Sequence, residues 1–427
     1  MKLIKYFAFS FIFLCGIHSS SWAQSTREEI LSNIAQTGGV YYAYPVKEAI
    51  ATPAPKGYKP FYISHYGRHG SRWIQSEKDY KTIVELFDKA HKAGALTDLG
   101  EDVRQRMILV WQDAEGHGGD LSPIGVRQHR GIAERMYQNY PEVFQGNPAI
   151  SARSTVVLRC VLSMDAFCER LKELNPALQI RREACPKYMY YMNYHTPEAV
   201  SFSAIQKPWY EEYRKFKESH THPNRLVSSL FSNPDFIRKE VNPDELMWGL
   251  YWIASDMQDV GVGVDFYDIF EKEELFDLWQ VHNYHNYVCD GPAPLNGGIM
   301  TASAKSLAQN ILDSADEAIK SGVNTATLRF GHDGNVIPLT ALLQLGDMWQ
   351  EETNPDKFYR AWCNFKVTPM AANIQLVFFK KKGSDDILVK FLHCEKEVTI
   401  PIETDIAPFY HWKDVEAYYR NVLKKLP

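Results

Sequence analysis

Three stretches of the sequence repeat one pattern, in which a short apolar run ends in polar residues and a helical pattern follows. They start at residues 61, 148 and 325 and read FYISHYGRHG, PAISARSTVVLRC and TATLRFGHDG. Units of strand, turn and helix build open sheets whose strands run mostly parallel, because each helix returns the chain to the same edge of the sheet. The predicted fold class is therefore α/β, with a central, mostly parallel sheet flanked by helices.

Chemically active side chains follow each of the three predicted strands. They are Arg68, His69 and Arg72 after the strand at 61–66, Arg153 and Arg159 after the strand at 148–152, and His332 and Asp333 after the strand at 325–330. Ligands of such sheets bind beyond the carboxyl ends of the strands, where helix N-termini add N–H donors and partial positive charge. We therefore expect these side chains to converge on one site.

This set of residue types suits the transfer of a phosphoryl group. Arginine presents a planar fork of donors that matches phosphate oxygens two at a time. Neighbouring cations keep a histidine neutral at mildly acid pH, and a neutral imidazole nitrogen is a competent nucleophile. A nearby carboxylic acid can protonate the departing alkoxide. The set needs no metal ion and no other cofactor, because the guanidinium groups neutralise the phosphate.

Local signals predict several boundaries of helices and strands. Ser122, followed by proline, predicts the start of a helix. Ser154 or Thr155 is the expected N-cap of the helix after the second strand, and Pro338 is expected in the first turn of the helix after the third. The Gly-Ser-Asp sequence at 383–385, between two apolar runs, predicts a β-hairpin.

Four segments together resemble one known family. They are RHGSR at 68–72, LSPIGVRQH at 121–129, RSTVVLRCVLSM at 153–164 and GHDG at 331–334. In their order and spacing they resemble the motifs of the histidine acid phosphatases, the branch of the histidine phosphatase superfamily that includes phytases and multiple inositol polyphosphate phosphatases. The resemblance covers most of the chain and implies an enzyme that hydrolyses phosphate monoesters.

The resemblance also implies a role for each matching residue. His69 would be the nucleophile that becomes phosphohistidine, and Asp333 would be the proton donor. The phosphate-binding residues would be Arg68, Arg72, Arg159 and His332. Arg153 is expected to help to orient the site from behind these residues. Neither a metal ion nor a cofactor is implied.

The sequence departs from the family pattern at two places. The family usually has proline two residues after the second arginine of its first motif, whereas this chain has Trp73 and then Ile74. The inositol polyphosphate phosphatases often have His-Ala-Glu where this chain has His332, Asp333 and Gly334. The second departure leaves membership of the inositol subgroup open.

An inserted segment is expected to select the substrate. Residues 24–186 and 299–427 are predicted to form the α/β core, and 187–298, rich in Tyr and Trp, to form a mainly helical cap. The cap segment contains 9 Lys and Arg against 17 Asp and Glu, which does not favour a highly phosphorylated substrate. Side chains that would supply local positive charge are Arg181, Arg182 and Lys187, and, at acid pH, His195, His220, His222, His282 and His285.

The N-terminus has the pattern of a secretory signal peptide, predicted at 1–23. Two lysines precede a short apolar run, and Ala23 ends a plausible cleavage site. The mature protein is therefore expected to be exported, periplasmic or secreted, without a membrane span. Removing the two lysines changes the formal net charge from −5 to −7, and a net acidic chain argues against nucleic acid as a partner.

Six cysteines remain after the predicted cleavage, and their pairing stays open. Only a Cys160–Cys168 bridge is excluded, because eight residues of helix separate the two by about 12 Å, whereas a disulfide needs Cα atoms within about 7 Å.

The function predicted from the sequence is that of an exported, metal-independent phosphomonoesterase acting through phosphohistidine. Its leading substrate is an inositol polyphosphate such as phytate. A broad-specificity acid phosphatase, acting on sugar or other small phosphate esters, is the alternative within the enzyme class. A non-catalytic phosphoester-binding protein is the alternative from another class, and it needs neither a nucleophile nor an acid. A phosphomutase is disfavoured by the predicted export.

Overall fold

The computed structural model describes residues 19–46, 51–204 and 207–426. Of the predicted signal peptide, only the last five residues lie in this range, where they begin the first helix; the rest lies outside the described residues. Among the residues described, no helix combines the length and the apolar character that crossing a bilayer requires.

One eight-stranded sheet forms the centre of the molecule. Its strands are β1 (Tyr58–Arg68), β2 (Ala149–Ser154), β3 (Gln179–Ala184), β4 (Asn324–Gly331), β5 (Asn373–Lys381), β6 (Ile387–His393), β7 (Lys396–Glu397) and β8 (Phe409–His411). The order is β3-β2-β4-β1-β5-β6-β7, and β8 pairs with β6. The four strands from β3 to β1 run parallel, and the later strands extend the sheet through antiparallel pairs. The predicted α/β class is confirmed.

Helices cover the sheet and form most of the rest of the described chain. In chain order they are α1 (Ser19–Ser32), α2 (Glu77–Lys92), α3 (Asp98–Ala114), α4 (Pro123–Asn139), α5 (Leu158–Leu174), α6 (Met189–Met192), α7 (Pro197–Phe202), α8 (Pro208–Ser219), α9 (Asn224–Leu230), α10 (Pro234–Glu240), α11 (Pro243–Asp256), α12 (Lys272–Cys289), α13 (Ile299–Ala302), α14 (Lys305–Ser321), α15 (Asp333–Leu342), α16 (Asn364–Val367) and α17 (Trp412–Lys425). Short 3-10 helices lie at Ile34–Tyr41, Pro141–Phe144, Pro186–Tyr188, Tyr267–Ile269, Pro294–Asn296 and Phe358–Arg360.

The parallel strands end at the same level, which brings their following loops together. In the register of β1 and β4, Arg68 lies opposite Gly331, and in that of β2 and β4, Ser154 lies opposite Phe330. The last seven residues of β1 are all buried, as expected for a central strand covered on both faces. The carboxyl ends of β1, β2 and β4 therefore form one platform, at the edge where the sequence predicts the site.

The apolar core is divided between the two faces of the sheet and a large helical cluster. The helical cluster joins residues of 187–298, such as Trp209 and Tyr251, to residues of α2 and α3, such as Phe87 and Met107. The described residues between 187 and 298 form helices and no strand. The helices of this segment thus share a core with helices that precede them in the chain.

The structure confirms two local predictions and corrects two. Ser122 caps α4 by accepting the Gly125 N–H, and β5 and β6 form the predicted hairpin. The predicted N-cap of α5 is wrong: the helix begins at Leu158, because Ser154 still pairs in β2 and the Thr155 hydroxyl contacts His332 instead.

Pro338 lies inside α15 rather than in its first turn, because that helix begins five residues earlier, at Asp333. The six described cysteines are all free thiols. Cys160 and Cys168 are both buried on α5, in agreement with the exclusion of a bridge between them.

Candidate active site

His69 lies directly after β1 and is held there by the backbone. Its N–H donates to the carbonyl of Gly331 (2.9 Å), and its own carbonyl accepts the N–H of Ala371 (3.0 Å). The ring Nδ1 is 2.9 Å from the carbonyl oxygen of Gly70. A carbonyl only accepts hydrogen bonds, so Nδ1 carries the proton and Nε2 of the neutral ring keeps a free lone pair.

Burial and three arginines keep the His69 ring neutral. The residue is 1% exposed. Burial lowers the pKa of His69 well below its usual value, and the positive charges of Arg68, Arg72 and Arg159 lower it further. These surroundings favour a neutral imidazole among the arginines.

Arg68 is the most enclosed of these arginines. Its Nη1 donates to the carbonyl oxygens of Val40 (2.5 Å) and Thr368 (2.7 Å). Its Nη2 lies 3.0 Å from a carboxylate oxygen of Asp333. Because the guanidinium is fully buried and anchored on one side by two carbonyls, its free edge has one fixed orientation.

Arg72 and Arg159 approach from other elements. The guanidinium of Arg72 lies 5.0 Å from the ring centroid of Tyr41, and its Nη1 donates to the carbonyl of Trp73 (2.9 Å). Arg159 is the second residue of α5, and its buried Nε has no hydrogen-bond partner among the described residues. Burial lowers the pKa of Arg159, and the charge of Arg72 lowers it further. Two arginines that repel each other are suited to share an anion.

His332 and Asp333 lie at the start of α15, directly after β4. The ring of His332 lies 5.8 Å from that of His69, and its Nε2 is 3.2 Å from the hydroxyl of Thr155. Burial lowers the pKa of His332 to about 4, although Asp333 opposes this shift. His332 is therefore neutral above that pH and can still donate one hydrogen bond.

Asp333 is ionised in this structure. Burial would raise its pKa, but Arg68, His332, Arg72 and the Gly334 N–H together outweigh burial and lower the pKa of Asp333 to about 2. The Gly334 N–H also donates to Asp333 Oδ1 (3.0 Å). A proton donor must hold a proton. The role that the sequence predicts for Asp333 therefore requires that its ion pair with Arg68 weakens and that the carboxylate takes up a proton when substrate binds.

Arg153 contacts a neighbouring segment rather than the other predicted residues. Its guanidinium lies 4.1 Å from the ring centroid of Tyr188 and donates to Tyr191 Oη (2.9 Å). The same segment is tied to the sheet where Tyr66 Oη donates to the carbonyl of Met192 (3.0 Å). Arg153 thus holds residues 188–192 against the edge of the site.

Two glycines let the loop after β1 pack against the start of α4. A Cβ added to Gly70 would lie 2.6 Å from the backbone of Gly125, and one added to Gly125 would lie 2.3 Å from the carbonyl oxygen of Ser71. Gln128 Oε1 accepts the Ser71 N–H (2.8 Å). The 121–129 segment and the first motif are therefore in direct contact, since the start of α4 packs against the loop that carries His69.

Two buried carboxyl groups lie behind the arginines, and the sequence analysis missed both. Asp256 and Asp259 are fully buried. Burial raises the pKa of Asp256 to about 7, although Tyr80 and Arg72 oppose this, and burial together with Asp256 raises the pKa of Asp259 well above its usual value. Asp259 accepts the Ser71 hydroxyl, and Asp256 accepts that of Tyr80. The available signal, for Asp256 alone, was an acidic residue that ends a helix just after its apolar stretch at 246–254.

Of the cap histidines, His195 lies near the motif residues. Its ring Cε1 would be 3.4 Å from a Cβ added to Gly334. Burial lowers the pKa of His195 and of His285, and it lowers that of His282 to about 3. The expected gain of positive charge at acid pH is therefore wrong for His282 and reduced for the other two.

The predicted basic patch before the cap is largely neutralised. Arg181 pairs with Glu183 (2.7 Å), and Arg182 pairs with Asp165. Both arginines therefore already have an acidic partner on the protein.

The chain is similar to known phosphatases. A sequence model described as "Histidine phosphatase superfamily (branch 2)" matches residues 67–393. Multiple inositol polyphosphate phosphatase 1 of Gallus gallus is 20% identical over 400 residues, which cover 88% of this chain and 85% of the chicken protein.

Solved structures share the fold. The multiple inositol polyphosphate phosphatase of Bifidobacterium longum, in complex with inositol hexasulfate, has a TM-score of 0.76 at 18% identity, covering 90% of this chain and 97% of that one. The phytase from D. castellii has a TM-score of 0.69 at 14% identity, covering 92% of this chain and 86% of that one.

The matched segment is long and contains His69 together with the other side chains predicted for the site. It spans 327 of the 427 residues (393 − 67 + 1). Its two ends lie on β1 and β6, so it includes the strand ends that carry the site. The chain therefore belongs to the histidine phosphatase superfamily (branch 2) and is a phosphoric monoester hydrolase of that family.

Proposed function

We propose that this protein hydrolyses phosphate monoesters through a phosphohistidine formed at Nε2 of His69. The observation that carries the proposal is the state of His69: a neutral ring, oriented by the Gly70 carbonyl, beside the guanidinium groups of Arg68, Arg72 and Arg159. A nucleophile needs a free lone pair, and a phosphate dianion needs cations around it. The surroundings of His69 supply both the free lone pair and the cations.

The phosphoryl group is held by the three arginines and by a hydrogen bond from His332. Nε2 of His69 attacks phosphorus while Asp333 protonates the oxygen of the departing alcohol. Asp333 then takes a proton from the water that hydrolyses the phosphohistidine. These guanidinium groups carry the charge stabilisation that a metal ion supplies in other phosphatases.

Phosphate binding would change the protonation of Asp333. Arg68 holds the Asp333 carboxylate in an ion pair. A bound phosphate dianion competes for Arg68 and adds negative charge beside Asp333, and both effects raise its pKa. Asp333 can then carry the proton that the leaving group needs, most readily at acid pH.

The substrate we propose first is an inositol polyphosphate such as phytate. Its support is the likeness to the chicken and Bifidobacterium longum multiple inositol polyphosphate phosphatases and to the D. castellii phytase. One observation favours a smaller ester instead: the acidic balance of 187–298, together with the acidic partners of Arg181 and Arg182. A broad-specificity acid phosphatase is therefore the second candidate.

Export is part of the proposal. Its support is the N-terminal pattern of two lysines, an apolar run and a small residue at position 23. N-terminal sequencing of the protein recovered from the expressing cells tests it: a mature chain that starts at Gln24 supports export, and an intact Met1 contradicts it.

The first prediction concerns His69. The protein should release p-nitrophenol from p-nitrophenyl phosphate at about pH 4–6 with EDTA present, and His69→Ala should reduce kcat by about a thousandfold or more. His91→Ala, an exposed histidine on α2, is the control and should match the wild type. Alkaline quenching during turnover, which preserves the acid-labile P–N bond, should trap label from ³²P-substrate on the wild type and not on His69→Ala.

A substrate panel separates the two candidates. Inositol hexakisphosphate should have a higher kcat/KM than glucose 6-phosphate and glycerol 2-phosphate if the first proposal holds. The reverse order supports the broad-specificity enzyme. Loss of activity with chelator, or a His69→Ala variant as active as the wild type, would contradict the mechanism.

A further inference from the structure

A carboxyl group from the helical segment faces the proposed active site and has no role in the mechanism above. Asp290 follows the last residue of α12 and is partly buried. Asn286 Nδ2 donates to Asp290 Oδ2 (3.3 Å). Within the described part of the chain, no lysine, arginine or histidine forms an ion pair with it.

Asp290 and Asp333 both lie close to Gly334. A Cβ added to Gly334 would lie 3.8 Å from Oδ1 of Asp290, while the Gly334 N–H donates to Oδ1 of Asp333. The two carboxyl groups therefore approach the same backbone position, at a residue that has no side chain of its own.

The two carboxyl groups have opposite electrostatic surroundings. Burial raises the pKa of Asp290 to about 7, and the negative charge of Asp333 contributes to that rise. The C-terminal end of an 18-residue helix also disfavours an anion there. Asp333, in contrast, is held as a carboxylate by Arg68. The pair therefore holds one proton below neutral pH, and Asp290 carries it.

We propose that Asp290 is a proton reserve for Asp333, a role that rests on the proposed function. It passes its proton to Asp333 when bound phosphate competes with Asp333 for Arg68. Asp290 acts through Asp333, so it is a positioning residue in the proton path and does not bond to the reacting atoms.

The proton balance closes over one cycle. Asp290 loses its proton to Asp333, and Asp333 gives it to the alcohol oxygen as the P–O bond breaks and the P–N bond to His69 forms. In the second step, water loses a proton to Asp333 as its oxygen bonds to phosphorus and the P–N bond breaks. Asp333 returns that proton to Asp290, and the products are the alcohol and phosphate.

Other titratable groups face Asp290 from each packed element. They are Cys289 on α12, His195 in the segment before α7, and Asp333 at the start of α15. Burial raises the pKa of Cys289, which keeps the thiol neutral. His195 is the rival proton carrier in this set, and it stays unchanged in the Asp290 variants.

The test compares two esters that differ in leaving group. Glycerol 2-phosphate releases an alkoxide that needs a proton, whereas p-nitrophenyl phosphate releases a stable phenolate. Asp290→Asn should lower kcat for the alkyl ester about tenfold or more at about pH 6 and kcat for the aryl ester less than about threefold. The alkaline limb of the alkyl-ester pH profile should also move to lower pH. Asp277→Asn, which changes a partly buried carboxyl group within α12, is the matched control.

Two more variants keep the result decisive. Asp290→Glu retains a carboxyl group and should restore at least part of the alkyl-ester turnover. Asp290→Ser replaces Asp290→Asn if the latter does not fold, with thermal unfolding as the check. Equal losses on both esters, or no loss on either, would overturn the inference. A wild type that hydrolyses neither ester would instead contradict the proposed function.

Discussion

Ile74 occupies a position where a proline would lose a specific hydrogen bond. The Ile74 N–H donates to Tyr80 Oη (2.9 Å), and that hydroxyl donates to the buried Asp256. The ring of Trp73 stacks on that of His117 with 4.3 Å between their centroids. The residue that replaces the family's proline thus serves the site indirectly, by holding the Tyr80 hydroxyl that contacts a carboxyl group behind the arginines.

Ile74→Pro removes that donor at a residue that is 3% exposed. We expect the free energy of unfolding to fall by about 1–3 kcal/mol, because a buried oxygen loses its partner. Denaturant titration measures the loss. Ile74→Val keeps the N–H and should cost about 0.5–1.5 kcal/mol. A proline variant as stable as the valine variant would show that the hydrogen bond contributes nothing.

At the level of elements, the site depends on how closely the loop after β1 approaches α4. The two backbones meet at Gly70 and Gly125, with no space for a side chain at either position. Ser71, between the two arginines of the first motif, is held by Gln128 on α4. The helix thereby sets the position of the loop that carries His69 and the two arginines.

Gly125→Ala should displace this loop, since the added Cβ would lie 2.3 Å from the Ser71 carbonyl oxygen. A shift of about 1 Å can cost about a hundredfold in rate, so we expect kcat/KM for p-nitrophenyl phosphate to fall by about that factor. Gly261→Ala, at a position with open space, is the control. Unchanged kinetics in Gly125→Ala would mean that the loop position does not depend on this contact.

At the scale of the whole molecule, buried histidines and carboxyl groups determine how stability depends on pH. Burial lowers the pKa values of five histidines to between about 3 and about 4, and raises those of two aspartates to about 7. They are His65, His129, His282, His332 and His393, and Asp256 and Asp290.

Between about pH 4 and 6.5, the unfolded chain binds protons at these histidines and the folded chain does not, so stability rises with pH. The two aspartates act in the opposite direction, as does Asp259, because burial keeps these carboxyl groups protonated in the folded chain at pH values where they are largely ionised in the unfolded chain. Since the histidines outnumber the aspartates, the melting temperature should fall as the pH is lowered from about 6.5 to about 4. Differential scanning calorimetry across that range measures it, and a melting temperature that rises on acidification would contradict this balance.

His65→Leu isolates one of these contributions. His65 is fully buried between Phe167 and Phe330. Its removal should reduce the slope of unfolding free energy against pH by about 1.4 kcal/mol per pH unit. The exposed His91→Gln is the control, and an unchanged slope in His65→Leu would count against a neutral, buried His65.

The sequence by itself determined the fold class, because strand and helix patterns are local. It also predicted that the seven motif residues follow the carboxyl ends of three strands, which parallel strands align at one edge of the sheet. It also predicted the Ser122 cap and the C-terminal hairpin. Only the tertiary structure showed that Val40 and Tyr41 position the arginines, that Asp256 and Asp259 lie behind them, and that Asp290 lies near Gly334 and Asp333. Those contacts join segments far apart in the chain, and the pKa values of these carboxyl groups depend on burial and charge, which no local pattern encodes.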